Sequence, residues 1–104
     1  MKQLLAAILS VLISTPALAC DEVKARSVQS MLQGMGVWSE TGGVTTFKWG
    51  SAWDDFAPHE RTGMIKSFAN SDACLKGMAR EINFYRKGKL VGKASPSSGI
   101  SLID

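Results

Sequence analysis

Histidine and cysteine are scarce in this chain of 104 residues, which has one histidine, His59, and two cysteines. Zinc sites draw several ligands from these two residue types at short, regular spacings. No such spacing is present, and the haem-attachment pattern C-x-x-C-H is missing as well. A phosphate-binding loop is also absent, because Gly34-Met35-Gly36 lacks the later glycine and the preceding strand of that motif. We therefore expect no metal and no cofactor.

A large excess of charge of one sign is lacking too. Lysine and arginine number 12 against 9 acidic residues, 20% of the residues are charged and 45% are hydrophobic. This composition excludes a strongly charged disordered chain, and the length allows one folded domain. A basic cluster, Arg86, Lys87, Lys89 and Lys93, lies near one predicted hairpin. Because no aromatic residues alternate with it, we interpret it as a solvated turn and expect no nucleic-acid partner.

The first nineteen residues have the pattern of a secretory signal peptide. Lys2 gives a positive start, residues 4–13 read LLAAILSVLI, and Ala17-Leu18-Ala19 supplies small residues at the cleavage positions. This apolar run is about half of the ~20 residues that a transmembrane helix needs. We predict a signal peptide over 1–19 and a single small domain over 20–104, exported to the periplasm or secreted, with no membrane span in the mature chain.

The two cysteines, Cys20 and Cys74, would both remain in the exported chain. Their even number and the oxidising compartment favour one disulfide, worth roughly 4 kcal/mol for a loop of this size. An alternative is a lipoprotein anchored through Cys20, since lipid is attached to a cysteine that follows the cleavage site. A lipoprotein signal usually has leucine three residues before that cysteine, whereas this chain has Ala17 there. We therefore favour the disulfide.

Hydrophobic periodicity and turn residues predict the secondary structure. The predicted elements are a helix over 21–33, a hairpin over 37–49, a helix over 58–69 that is interrupted at 70–72, a short helix over 73–76, a hairpin over 80–94 and a short strand over 100–102. This order predicts an α+β fold: a single small antiparallel sheet of two hairpins plus a short C-terminal strand, with helices on one face.

The same periodicity predicts which faces are buried. In the first helix the expected core face is Val23, Val28, Met31, Leu32 and Met35. In the second arm of the first hairpin, Thr45, Phe47 and Trp49 share the face that we expect to be buried.

Aromatic residues are the main functional lead. Trp38, Trp49 and Trp53 fall within sixteen residues, with Phe47 and Phe56 close by. Small domains bury such side chains, and we assign Trp49 to the core, but tryptophan is also enriched in binding surfaces. We expect Trp53, on a connection, to pack partly against Phe56 with one edge exposed.

Two hypotheses for function follow. The first is a non-enzymatic binding or accessory module of the bacterial envelope, which contacts an envelope protein or a small ligand through Trp38, Trp53, Phe56 and His59. The second is a small hydrolase in which a carboxylate such as Asp55 orients His59 as a base. Nothing like a nucleophile elbow surrounds the nearby Ser51. We therefore favour the binding module and assign no catalytic residue.

The leader generates the first prediction. Protein recovered from the envelope fraction should have an intact mass that corresponds to a chain beginning at Cys20, because the signal peptide is removed on export. Mass spectrometry of the purified protein measures this directly. The mass of all 104 residues would contradict the prediction, and added diacylglycerol and acyl groups would support the lipoprotein alternative.

Overall fold

A computed structural model of the chain describes residues 20–103. The predicted signal peptide lies outside the described residues, as does Asp104. The elements, in chain order, are α1 (Glu22–Gln33), β1 (Gly36–Thr41), β2 (Val44–Trp49), α2 (Pro58–Lys76), β3 (Ile82–Arg86), β4 (Lys89–Ser95) and β5 (Gly99–Leu102). A short 3-10 turn, Ser51–Asp55, leads from β2 towards α2. The predicted α+β class is confirmed.

The five strands form one sheet in the order β1-β2-β3-β4-β5. The two predicted hairpins are β1–β2 and β3–β4, and β5 adds antiparallel to β4. The predicted antiparallel pairing is confirmed for these three pairs, and β2 and β3 differ in being parallel. The reason is that α2 carries the chain back along the sheet between these strands, so that β3 starts at the same end as β2. The sheet is therefore mostly antiparallel.

The second helix is longer than the sequence indicates. The predicted interruption at 70–72 is wrong, and α2 runs unbroken from Pro58 to Lys76. Ser71 Oγ donates back to the carbonyl oxygen of Ser67 within the helix, at 2.7 Å. A serine that bonds to the preceding turn does not cap a new helix. The helix ends at Gly77, whose φ of 82° is the left-handed conformation that glycine adopts without strain.

The core lies between the two helices and one face of the sheet. The predicted burial of Thr45, Phe47 and Trp49 is confirmed. Gly92 of β4 lets α2 come close, because a Cβ at this position would collide with Ile65 of the helix. The buried hydrophobic cluster consists of Leu32, Phe47, Trp49, Trp53, Ile65, Phe68, Ile82, Phe84, Val91 and Ala94.

The first helix is rotated from its predicted orientation. Val23 and Met31 were expected in the core but are 74% and 60% exposed. Leu32 is buried as predicted, but the other buried residues are Ala25 and Gln29, which precede it by seven and three residues on one face. Gln29 forms buried hydrogen bonds with α2, and these bonds turn that face inward.

The predicted disulfide is confirmed. Cys20 and Cys74 are bridged, with their Cα atoms 5.6 Å apart. Cys20 directly precedes Asp21, which caps the start of α1 by accepting from the Lys24 N–H. Cys74 lies in the last part of α2. The bridge thus ties the beginning of one helix to the end of the other, and a bridged Cys20 sulfur has no thiol left to carry a lipid.

This geometry predicts a large loss of stability on reduction. Dithiothreitol, or the double change Cys20→Ser with Cys74→Ser, should lower the free energy of unfolding by roughly 4 kcal/mol, the entropy of the released loop. Urea titration of the oxidised and reduced protein measures the difference. Two titratable thiols in the air-exposed native protein, or an unchanged unfolding midpoint after reduction, would contradict it.

Candidate functional site

Trp53 is a core residue. Its side chain is 1% exposed, so the expectation of an exposed edge is wrong. The 3-10 turn folds the ring back onto Trp49, with the ring centroids 5.0 Å apart, and the Arg61 guanidinium lies over it at 5.2 Å. A ring enclosed in this way contributes packing rather than contact with a partner.

His59 and Phe56 lie beyond this turn. Phe56 is half-buried, and His59 is exposed in the first turn of α2. Among residues 20–103 the His59 side chain makes no hydrogen bond to a carboxylate. The carboxylate of Glu60 instead accepts a hydrogen bond from the Ala57 N–H, at 2.7 Å. The structure therefore does not bring His59 and Asp55 together as an acid–base pair.

Trp38 has a different setting in β1. Its half-buried ring stacks on Phe68 at 5.1 Å between centroids, and the Arg80 guanidinium lies over it at 5.2 Å. Of the four candidate binding residues, Trp38 is the one that lines the cleft where α1, α2 and β1 meet. The volume of this cleft is about 420 Å³, and its lining residues are Arg26, Gln29, Ser30, Gln33, Trp38, Asp72, Leu75 and Lys76. We call it the interhelical cleft.

Gln29 forms a fixed polar floor in the interhelical cleft. Its Nε2 donates to the carbonyl oxygen of Phe68 at 2.9 Å and to Ser71 Oγ at 2.8 Å. Its Oε1 accepts from Gln33 Nε2 at 2.7 Å. A buried amide with both ends bonded costs little and holds a single rotamer. These hydrogen bonds thus hold the floor of the cleft in one arrangement.

An ion pair between the buried Asp72 and the half-buried Arg80 forms the adjoining wall. Arg80 donates from Nε and Nη2 to the two carboxylate oxygens of Asp72, both at 2.9 Å, and from Nη1 to Glu40 at 2.8 Å. The Asp72 side chain is only 4% exposed. Hydrogen bonding to Asp72, followed by that to Glu40, raises the pKa of Arg80. Because both oxygens of Asp72 are occupied, its charge is neutralised within the wall.

A second arginine–carboxylate pair lies at the 3-10 turn. Arg86 of β3 donates from Nε and Nη2 to the two carboxylate oxygens of Asp54, at 3.1 and 2.7 Å. The hydrogen bond from Arg86 lowers the pKa of Asp54, and the same bond raises the pKa of Arg86. Lys93 of the same basic cluster lies 3.7 Å from Glu81. The cluster that the sequence singles out is thus partly paired with acidic residues.

Within residues 20–103 no helix is long and apolar enough to cross a bilayer. The same part of the chain contains no group of three or more acidic, histidine or cysteine side chains placed to hold a metal ion. No protein-family model matches the chain, and no curated protein or solved structure matches it.

Most residues of the interhelical cleft escaped sequence reasoning. Apart from Trp38, none was singled out by the sequence, and they come from two separate helices, at positions 26–33 and 72–76. The available signal was Gln29, a polar residue between Val28 and Leu32 on an otherwise apolar helical face. Such a residue is buried with partners or turned to solvent, and periodicity alone does not decide which.

The buried wall generates a stability prediction. Arg80→Met should lower the free energy of unfolding by about 3 kcal/mol, because it leaves the Asp72 carboxylate buried without its partner. Chemical denaturation measures the loss. Arg86→Met is the matched control, since its partner Asp54 has a side chain that is 49% exposed and can be hydrated instead. Equal losses in the two variants would show that burial of Asp72 does not determine the effect.

Proposed function

We propose that this chain is a small exported binding module of the bacterial envelope without catalytic activity, and that it binds through the interhelical cleft. The observation that carries the proposal is the cleft itself. Its volume of about 420 Å³ falls within the range typical of small-ligand sites, and it combines apolar surface with a few fixed polar groups. A small ligand, or a short segment of an envelope protein, is the partner of suitable size.

The ordered floor and wall favour a ligand-binding role for the interhelical cleft over a role as a gap left by helix packing. Gln29 and Asp72 are already held by hydrogen bonds from Gln33 and Arg80. A ligand that meets groups in fixed positions does not have to order them, and this saving strengthens binding. The exposed rim residues Arg26, Ser30 and Lys76 remain able to adjust to the ligand.

Export is supported by two independent features. The N-terminal sequence has the pattern of a signal peptide, and the Cys20–Cys74 disulfide is compatible with an oxidising compartment. The lipid-anchored alternative has less support, because Cys20 is bridged. The hydrolase alternative has no supporting observation, since His59 is exposed and no carboxylate among the described residues orients it.

Blocking the cleft tests the proposal. Wild-type protein with residues 20–104 is incubated with envelope extract, repurified and examined by native mass spectrometry for a bound species. Ser30→Trp places a large side chain on the cleft lining and should lose that species. Ser27→Trp is the matched control, because it makes the same change at an exposed position of α1 outside the lining, and it should retain the species.

Three results would contradict the proposal. One is a species that Ser30→Trp retains as well as the wild type. Another is the absence of any bound species from all three proteins. The last is hydrolysis of p-nitrophenyl acetate that the wild type catalyses and that His59→Ala abolishes, which would support the hydrolase instead.

A further inference from the structure

We infer that the interhelical cleft recognises a single carboxylate carried on an aliphatic body. This inference rests on the proposed function and names the ligand class of the same site. The charged residues on the lining are two cations, Arg26 and Lys76, and one anion, Asp72.

The charge of Asp72 is already compensated by Arg80, so Asp72 attracts a ligand cation only weakly. Both of its carboxylate oxygens accept hydrogen bonds from Arg80, and its side chain is 4% exposed. With Asp72 compensated by Arg80 and Arg26 paired with Glu22, Lys76 is left as the uncompensated charge among the described lining residues, and it matches one negative charge. A ligand cation would meet two positive side chains and no free carboxylate on the lining, whereas a monoanion would find complementary charge.

Arg26 is the group best placed to bind that carboxylate. Its present partner is Glu22 in the same helix, at 3.3 Å, with side chains 65% and 63% exposed. An ion pair exposed to this extent contributes little, so a ligand can displace it at small cost. A guanidinium also offers two parallel N–H groups to the two oxygens of a carboxylate.

Lys76 provides the second positive charge from the last turn of α2. The negative end of the helix dipole lies at the same place and by itself repels an anion. Anion binding at this rim therefore depends on the lysine. Among residues 20–103 the structure records no ion pair of Lys76, and this residue is exposed to solvent.

The rest of the lining specifies the body of the ligand. Leu75 and the half-buried ring of Trp38 provide apolar surface, and Ser30 and Gln33 provide polar groups at the rim. An aliphatic side chain against Leu75, with an amide near Ser30, fits this arrangement. Two sources carry this chemistry: a free acylated amino acid and the C-terminal residue of a peptide.

The probe is N-acetyl-L-leucine, titrated into ¹⁵N-labelled protein with residues 20–104. The Trp38 indole N–H and the amides of Arg26 and Lys76 should shift and saturate, with the indole signal assigned from Trp38→Phe. N-acetyl-L-leucinamide, which has the same body without the charge, should give no saturable shift. A leucine-terminated pentapeptide and its C-terminal amide form a second pair that tells the two sources apart by relative affinity.

Charge removal should weaken binding of N-acetyl-L-leucine selectively. Arg26→Gln and Lys76→Gln should each raise the dissociation constant about tenfold, as expected for the loss of a charge-assisted contact. Lys24→Gln and Lys66→Gln are matched controls on the same two helices and outside the cleft lining, and they should leave it unchanged.

The inference is overturned if the amide binds as well as the acid, if inorganic phosphate competes as strongly, or if the control variants weaken binding equally. Its failure is distinguishable from failure of the proposed function. If Ser30→Trp loses the extract-derived ligand but the wild type does not bind N-acetyl-L-leucine, the cleft binds another class of molecule. A ligand retained by Ser30→Trp contradicts the binding site itself.

Discussion

Phe68 joins the core of this domain to its cleft. From the middle of α2 its ring packs against four aromatic side chains of the sheet, Trp38, Phe47, Trp49 and Phe84. Its carbonyl oxygen accepts a hydrogen bond from Gln29 of α1. One residue therefore fixes α2 on the sheet and α1 on α2. Any displacement of Phe68 would disturb both the aromatic core and the floor of the interhelical cleft.

Buried polar groups make the arrangement specific. Apolar packing alone leaves the rotation of α1 loosely determined, because Val23 and Met31 offer an alternative apolar face. Gln29 removes this freedom, because its amide is satisfied in the interior only in the rotation that places it beside the Phe68 carbonyl oxygen and Ser71 Oγ. Asp72 acts in the same way at the wall, because its buried carboxylate is neutralised by Arg80.

Local sequence patterns were sufficient to predict much of the fold. Alternation identifies the strand that buries Phe47 and Trp49, and cysteine parity identifies the disulfide. Long-range hydrogen bonds were not accessible in this way. The bonds from Gln29 span 39 and 42 residues, and they determine both the helix face and the cleft. The parallel β2–β3 pair was missed for a related reason, because it depends on where α2 packs. The exposure of Trp53 was predicted wrongly because the sequence indicates an open connection at this position. In the structure this connection folds into a 3-10 turn.

The disulfide has a geometric consequence for the site as well as a thermodynamic one. Leu75 and Lys76 of the cleft directly follow Cys74, and Arg26 lies less than two helical turns after Cys20. The bridge therefore limits how far the two helices separate at this end of the cleft, while the Gln29 bonds hold them at the floor. With both constraints in place, the scaffold sets the spacing of the backbone positions that carry Arg26 and Lys76, while their exposed side chains remain adjustable. The same covalent bond that compensates for a small core thus keeps the two cation-bearing helices together, as the proposed binding of one carboxylate requires.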